Sequence, residues 1–562
     1  MFAGSVWSAW LRSFPCLHQH RAGPPVPRLQ APPPSLSTPL NLFVRKSIDE
    51  LQATAAGDHS LKRTLGRWNL ISLGVGAIIG TGIFVLTGTA AAEHAGPAIV
   101  LAFVLAGLGC LFAGLCYAEF ASMIPIAGSA YTYGYATLGE LIAWIIGWDL
   151  ILEYLFGAAT VAAGWSGYVT SFLRDLGINL PLALTNAPGD LVQLQSGSWV
   201  RATDTLSASL LEQGVRMSDL PQSSGGFNLV AALAVLVVTL LLIRGTKESA
   251  RFNNVAVVIK LVVVFAFIGA GGYYVIMNMD QAMANWTPFI PENIAPGQFG
   301  LDGIVAAGGV IFFAYIGFDA VSTTAQEAKN PQRDLPIGIL GSLVICTVLY
   351  ILVSGIMTGI VPYAQLGVAE PIAVAIEATG YLALASLIKI GAIAGLTSVM
   401  MVMLMAQPRI FYTMSRDGLL PPIFSRLHPK YRTPHVSTAL TGITCALLAG
   451  FFNVNELGHL VSIGTLLAFS IVCGGVLYLR YKEPDRVRPF RTPFVPLVPI
   501  LGIVVCVFLM SRLPVEAWER LGLWLALGLV VYFVYGRKHS VLQGGTPPPP
   551  NGAAPDYSDR AH

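Results

Sequence analysis

The sequence predicts an all-α, polytopic membrane protein built as a five-plus-five inverted repeat with two further helices. Of its 562 residues, 54% are hydrophobic and only 11% are charged, whereas soluble proteins carry about 25% charged residues. Twelve apolar stretches approach the roughly 20 residues that a helix needs to cross a bilayer. Two of these stretches contain glycine near their middle, Gly80-Thr81-Gly82 in the first and Gly317 in the sixth.

We number the predicted spans 1 to 12 in chain order. They cover residues 70–92, 97–121, 139–172, 227–243, 251–277, 302–325, 336–360, 381–410, 436–452, 458–480, 494–512 and 520–536. Span 3 is long enough to cross the membrane with a strong tilt. A long loop, residues 173–226, separates spans 3 and 4.

Lysine and arginine are concentrated on one side of the predicted spans. Arg63 and Arg67 precede span 1, and Arg244 lies between spans 4 and 5. Cytoplasmic loops of membrane proteins carry such an excess of basic residues, so both termini are predicted to be cytoplasmic. Span 1 then runs outward and span 6 runs inward, which makes spans 1–5 (residues 70–277) and spans 6–10 (residues 301–480) inverted repeats.

The segments around the two repeats differ in composition. Residues 1–44 are rich in proline and arginine without an acidic residue, and we expect a disordered or spurious N-terminal extension, with a transit-type peptide as the alternative. Residues 45–69 form a polar lead-in on the cytoplasmic side. Spans 11 and 12 (residues 494–536) follow the repeats, and residues 537–562 are predicted to be a disordered cytoplasmic tail.

The glycines in spans 1 and 6 indicate a ligand site. Glycine weakens a helix by about 1 kcal/mol relative to alanine, and unwound backbone within a membrane survives only where it is buried or lines a wet cavity. Interrupted helices at corresponding places in two repeats are typical of the binding site of a secondary transporter. The alternative is that these glycines only allow close helix packing, as small residues do in membranes.

The break in span 1, around Gly80, is predicted to bind an anion. A half-helix begins there, and the first N–H groups of a helix, together with its dipole, favour negative charge. The N–H groups of Thr81, Gly82 and Ile83 are therefore expected to hold a carboxylate, with the Thr81 hydroxyl as a further donor.

The break in span 6, around Gly317, is predicted to bind a cation. Its unwound carbonyl groups near Phe313, Ala314 and Ile316 are predicted to accept an ammonium group. The rings of Phe313, Tyr315 and Phe318 are expected to form an aromatic gate, unless they only pack in the core. A carboxylate on one helix and an ammonium group on the other describe a zwitterionic α-amino acid.

Charged residues inside the spans are expected to have a partner or a function, because placing each charge at the bilayer centre costs at least about 2.5–3.5 kcal/mol of free energy. Lys260 of span 5 is predicted to carry a proton, with a structural ion pair or a snorkelling side chain as alternatives. Glu153 of span 3 is its expected partner in proton coupling. Asp319, at the end of the span 6 break, is predicted to cap the second half of that span. Lys389 of span 8 has no predicted partner.

Several segments resemble the amino acid–polyamine–organocation superfamily. Its first-helix signature is similar to GVGAIIGTGIF at residues 74–84, and its sixth-helix motif to FFAYIGFDA at residues 312–320. Its cytoplasmic loop motifs are similar to EAKNPQRDLP at residues 327–336 and PRIFYTMSRDGLLP at residues 408–421. The resemblance covers residues 45–536, and it is greatest to bacterial permeases of the cationic amino acid transporter type.

This resemblance implies a LeuT-type fold and transport by alternating access. The substrate contacts that it implies are Ile78, Thr81 and Gly82 in span 1, Phe313, Ile316 and Asp319 in span 6, and Met403 in span 8. Lys260 matches a family lysine that stands where sodium-coupled relatives bind sodium, which favours proton coupling or exchange. Animal members usually have fourteen spans rather than twelve, so a preference for basic substrates stays open.

The leading prediction is a proton-coupled permease for L-amino acids with small neutral or basic side chains. An obligate exchanger is the main alternative. A membrane enzyme or a channel is disfavoured, because the sequence has neither metal or triad spacing nor a filter sequence. No cofactor, metal or nucleic-acid partner is expected, and without a cysteine in residues 173–226 no disulfide-linked partner subunit is expected. The expected location is the cell membrane, with a bacterial cytoplasmic membrane favoured.

Overall fold

The computed structural model describes residues 42–49, 51–52, 65–126, 129–193, 199–202, 206–207, 210, 215–431 and 433–545. Most of the predicted N-terminal extension, about half of the predicted lead-in and most of the predicted tail lie outside the described residues. The described part is predominantly helical, with eight helical stretches long and apolar enough to cross a membrane and three shorter apolar helices in spans 4, 9 and 11. The predicted all-α polytopic class is confirmed, whereas the count of twelve crossings stays a prediction.

Every predicted span contains helix. Spans 1 to 3 consist of Arg67–Ile78, Gly82–Leu86, Thr87–Ala90 and Ala91–Ala95 (span 1), Ile99–Met123 (span 2), and Glu140–Ile151, Leu152–Phe156 and Gly157–Asp175 (span 3). Spans 4 to 7 consist of Leu229–Arg244 (span 4), Thr246–Met277 (span 5), Gly300–Ile311, Phe312–Tyr315 and Ala320–Thr323 (span 6), and Pro331–Ile360 (span 7). Spans 8 to 12 consist of Leu382–Arg416 (span 8), His435–Phe451 (span 9), Val454–Lys482 (span 10), Leu497–Met510 (span 11), and Val515–Val531, Tyr532–Gly536 and Arg537–His539 (span 12).

The loops contain a small sheet that the sequence did not predict. Its strands are Gly189–Gln193, Trp199–Arg201 and Gln222–Gly225, antiparallel, with the first strand in the centre. These strands have three to five residues, which is too short for a clear alternating pattern. Two loop helices matter below: the Ser129 helix (Ser129–Thr137) between spans 2 and 3, and the Pro371 helix (Pro371–Ala378) between spans 7 and 8.

Both ends of the described chain lie at the same end of the helix bundle. The Lys46 ammonium is 2.6 Å from the carboxylate of Asp417, which follows span 8. The Val541 N–H, after span 12, donates to the backbone carbonyl of the same Asp417 at 3.0 Å. We call this end the terminal end of the bundle. Two termini on one side of the membrane agree with this arrangement, and their cytoplasmic location stays a prediction.

Parts of both flanking segments that we expected to be disordered are docked on the bundle. The Glu140 N–H, at the start of span 3, donates to the carbonyl of Val44 at 2.9 Å. The fully buried Glu140 carboxylate accepts hydrogen bonds from Ser540 and, at 2.8 Å, from Gln543. Glu140 therefore anchors segments that are almost 500 residues apart in sequence, and such contacts leave no local pattern.

Candidate functional site

Span 1 is interrupted where its glycines predicted a break. The first helix ends at Ile78, Ile79 is extended with ψ 100°, and helix resumes at Gly82. The N–H of Phe84 donates back to the carbonyl of Gly80 at 3.1 Å. The N–H groups of a first turn have no partner within their own helix, so the break presents free donors.

Thr81 and Ile83 complete this first turn, and both side chains are fully buried. The Thr81 hydroxyl has no hydrogen-bond partner among the described residues. The Thr81 side chain lies against span 3, because a Cβ placed on Gly164 would be 3.0 Å from its methyl carbon and 3.7 Å from its hydroxyl oxygen. A free hydroxyl beside free N–H groups supplies the donors that a carboxylate requires.

Span 6 is interrupted at Gly317. This glycine has φ +107°, in the left-handed region that favours glycine, and the preceding Ile316 is extended with ψ 139°. Helix resumes at Ala320. A Cβ on Gly317 would lie 2.9 Å from the carbonyl oxygen of Ala77, so glycine also lets this break approach span 1.

The two breaks are in direct contact. A Cβ on Gly82 would lie 2.2 Å from the Cα of Ala314, so these two backbones approach each other only because position 82 is glycine. The hydroxyl of Tyr350 in span 7 is 2.9 Å from the carbonyl oxygens of both Ile78 and Ala314. Tyr350 thus joins the broken helices, a role that a tyrosine within an apolar span does not reveal in the sequence.

The carbonyl groups of the span 6 break already accept internal hydrogen bonds. Phe313 accepts from the Ile316 N–H at 3.1 Å, and Ala314 accepts from Tyr350. A carbonyl oxygen has two lone pairs, so each keeps the capacity for a further donor. The binding of an ammonium group at these carbonyls stays a prediction.

Two of the three rings predicted to form a gate contact span 2, and one of them also contacts span 10. The Tyr315 hydroxyl donates to the carbonyl of Phe103 in span 2 at 2.9 Å. Phe318 packs against Tyr117 of span 2 and Phe469 of span 10, with ring centroids 5.4 and 4.9 Å apart. These contacts of Tyr315 and Phe318 agree with the alternative of core packing, and a gating role for the three rings stays a prediction.

Lys260 caps the end of the first half of span 1. Its side chain is fully buried, and its ammonium donates to the carbonyls of Gly76 and, at 3.0 Å, Ile79. Carbonyls at a helix end have no partner within the helix, so Lys260 satisfies the end that the break creates. The predicted pairing of Lys260 with Glu153 is wrong: among the described residues no carboxylate lies within ion-pair distance of Lys260, whose donors are directed to span 1.

Asp319 and Glu153 form a second buried group. Asp319 accepts hydrogen bonds from Tyr154 at 2.7 Å and from Ser129 at 3.1 Å. Its carboxylate makes no capping hydrogen bond to the half-helix that follows, so the predicted cap is wrong. The reason is that the carboxylate is turned toward span 3 and the Ser129 helix instead. Glu153 is near enough to this Asp319 carboxylate for their charges to interact.

No positive charge among the described residues pairs with these acids. Glu153 belongs to a π-helical turn, Leu152–Phe156, and such turns are frequent at functional sites. One turn earlier, Asp149 is 1% exposed and neither of its carboxylate oxygens has a partner among the described residues. A buried carboxylate without a partner is costly, so this group is suited to accept a proton or a cation. No cluster of three or more potential metal ligands occurs in the described part of the chain.

Met403 of span 8 packs against span 3. A Cβ on Gly157 would lie 3.0 Å from the Met403 sulfur. The span 8 residue at the break is Val399, whose Cγ2 would lie 3.1 Å from a Cβ on Gly80. Val399 is not distinguished in the sequence, because most of its neighbours in span 8 are also apolar. A contact between Met403 and substrate stays a prediction.

Lys389 has two partners at the end of the bundle opposite the terminal end. Its fully buried ammonium is 2.6 Å from Asp175, where span 3 ends, and 2.6 Å from Glu377 of the Pro371 helix. Arg174 is 3.2 Å from Glu370, which precedes the same helix. Burial raises the pKa of the Glu370 carboxyl, and Arg174 opposes that rise. We call these five residues the outer charge cluster; it fastens the Pro371 helix to spans 3 and 8.

Known proteins with similar sequences are membrane permeases and transporters. Residues 65–541 match the amino acid permease family. The branched-chain amino acid permease BcaP of Bacillus subtilis is 48% identical over 503 residues, which cover 89% of this chain and 99% of that protein. The methylthioribose transporter of Bacillus subtilis is 45% identical over 502 residues, with the same two coverages. The vacuolar cationic amino acid transporter 4 of Arabidopsis thaliana is 39% identical over 453 residues, which cover 80% of this chain and 68% of that protein.

Proposed function

This chain belongs to the amino acid permease family, and from that premise we propose that it moves L-amino acids across the cell membrane by alternating access. Family membership confirms the resemblance seen in the motifs and fits a LeuT-type fold. The relatives named above are transporters and not enzymes. The family and the similarity to the bacterial branched-chain permease support a multi-pass protein of the cell membrane.

The meeting of two broken helices at Gly82 and Ala314 carries this proposal. Span 1 offers free N–H groups and the Thr81 hydroxyl to a carboxylate, and span 6 offers carbonyl oxygens to an ammonium group. Both groups belong to every α-amino acid, so the breaks are proposed to bind the part of the substrate that does not vary.

For the substrate side chain we propose a preference for neutral aliphatic groups. The similarity to the branched-chain permease supports this choice, and so does the apolar Val399 beside the span 1 break. Basic side chains are the second candidate class. Two observations favour basic side chains. The carboxylates of Glu153 and Asp319 have no positively charged partner among the described residues, and the chain is similar to a cationic amino acid transporter.

Proton symport is the proposed coupling. The Lys260 ammonium donates to the carbonyl oxygens of Gly76 and Ile79, and a positive charge at that place repels a sodium ion. Glu153 can gain or lose a proton without breaking an ion pair, and its nearness to Asp319 links it to the span 6 break. Exchange of internal for external amino acid remains the alternative, because Lys260 excludes sodium equally well in an exchanger.

Uptake of labelled leucine, alanine and arginine into proteoliposomes tests this proposal. Accumulation under an inward proton gradient that collapses with an uncoupler supports symport. Uptake only into vesicles preloaded with amino acid supports exchange instead. The ratio of leucine to arginine uptake distinguishes the two side-chain classes, and absence of uptake for all three under both conditions contradicts the proposed function.

A further inference from the structure

A cavity of about 80 Å³ lies between the acid group at Asp319 and the terminal end of the bundle. One wall includes Tyr154, whose hydroxyl donates to Asp319. Another includes Tyr131 of the Ser129 helix, whose hydroxyl donates to Asp417 at 2.7 Å. The second half of span 6 contributes Thr323. The cavity therefore lies on the terminal-end side of the candidate site, toward the end predicted to face the cytoplasm.

Arg409 is the charged residue that lines this cavity, and its side chain is exposed at the cavity mouth rather than enclosed among apolar residues. It lies in span 8, roughly two turns, or about 10 Å, before that helix ends at Arg416. Its guanidinium bonds to the sulfur of Met405 at 3.6 Å, and no carboxylate of the described residues is within ion-pair distance. The carboxylate that acts on it from farther away is Glu327, just beyond span 6.

An arginine inside an apolar span normally pairs with another group or marks a pathway. Here it has spare donors and faces a cavity, and the residues around it in the cavity wall are apolar or carry neutral hydroxyl groups, such as Thr323 and Thr413. A guanidinium presents paired N–H groups that match the two oxygens of a carboxylate. The arrangement suits an anionic group that passes between the breaks and the terminal end.

We propose that Arg409 forms a second binding site for the α-carboxylate of the substrate, on the path between the two breaks and the cytoplasm. This inference rests on the proposed function. At the span 1 break, neutral N–H groups hold the carboxylate. Substrate that leaves this break toward the cytoplasm then meets the positive charge of Arg409 in the cavity wall. The same contact captures substrate that enters from the cytoplasmic face.

Transport from each face of the membrane tests this site. Labelled leucine uptake is measured in right-side-out and inside-out membrane vesicles that carry the full-length protein. Arg409→Gln is expected to raise KM at the cytoplasmic face about tenfold, the size expected for losing one charge-assisted hydrogen bond, and to leave KM at the outer face within about twofold. Arg409→Lys keeps the charge and should recover part of the effect. Arg416→Gln removes another exposed arginine of the same helix, one that does not line the cavity, and should change neither value.

The site also predicts which competitors are recognised from the cytoplasmic face. Leucinamide lacks the carboxylate, so leucine should outcompete it more strongly in the unaltered protein than in Arg409→Gln. Equal KM changes on both faces, or an unchanged preference for leucine over leucinamide, would overturn the proposal and favour a structural contact of Arg409 with Glu327. If the unaltered protein transports no leucine from either face, the proposed function fails first, and this inference fails with it.

Discussion

Gly82 of span 1 and Ala314 of span 6 lie so close that a Cβ on Gly82 would be 2.2 Å from the Ala314 Cα. A second close approach joins the same spans, where Gly317 meets the carbonyl of Ala77. Packed elements respond to displacement in discrete steps rather than continuously. Movement of one broken helix is therefore expected to require movement of the other, which couples the two repeats at the site where substrate is proposed to bind.

Gly82→Ala is expected to lower leucine transport at least tenfold, because the added Cβ collides with the Ala314 backbone, which cannot swing aside as a flexible side chain would. Gly82→Val should abolish transport. Initial uptake rates at equal protein amounts in the membrane measure the effect. Gly474→Ala is the matched control, because a Cβ there meets no atom within 4 Å. Unchanged uptake by Gly82→Ala would mean that the two backbones separate during transport.

Tyr350→Phe is expected to raise the KM for leucine about fivefold to tenfold. The substitution removes the hydroxyl that bonds to Ile78 and Ala314, and a lost hydrogen bond of this kind changes a free energy by about 1 kcal/mol or more. Tyr315→Phe removes a buried hydroxyl that bonds to span 2 and not to the carbonyls of the two breaks, and it should change KM less than twofold. Equal effects of the two substitutions would argue against a special role for Tyr350.

The sequence predicted the breaks but not the contacts that organise them. Glycine within an apolar span is visible locally, so Gly80 and Gly317 could be recognised from the chain alone. The partners of Lys260 could not, because spacing along span 5 does not tell which carbonyl groups across the bundle receive the ammonium. Asp319 occupies a capping position, and only the neighbouring hydroxyl of Tyr154 shows that its side chain serves another element.

Lys260→Ala is expected to abolish proton-driven accumulation of leucine while retaining part of the binding. The substitution leaves the buried carbonyls of Gly76 and Ile79 without their donor, which destabilises the end of the first half-helix more than the carboxylate site itself. Accumulation under a proton gradient and equilibrium binding of labelled leucine separate the two effects. Lys482→Ala, an exposed lysine at the end of span 10, is the control. Accumulation with an unaltered pH dependence would remove Lys260 from the coupling mechanism.

Glu153→Gln is expected to uncouple transport from the proton gradient. Glutamine preserves the size of the side chain and its position beside Thr465 and Asp319, but it cannot exchange a proton. Leucine exchange between preloaded vesicles and the medium should persist, whereas accumulation driven by the gradient should disappear. Asp149→Asn tests whether the neighbouring acid shares this role. Gradient-driven accumulation that survives in both variants would place the proton site elsewhere.

Lys389→Met is expected to lower the Tm of the purified protein, because it leaves Asp175 and Glu377 without the buried ammonium that joins them. The side chains of Asp175 and Glu377 are about one-third exposed, at 34% and 35%. The decrease in Tm should therefore be smaller than on breaking a fully buried ion pair, yet larger than on breaking a surface ion pair. Arg512→Gln supplies the surface comparison, since its pair with Asp302 has side chains that are 42% and 33% exposed. Thermal unfolding in detergent, followed by tryptophan fluorescence, gives both values. A Tm decrease no larger than that of Arg512→Gln would mean that packing, and not the outer charge cluster, holds the Pro371 helix against spans 3 and 8.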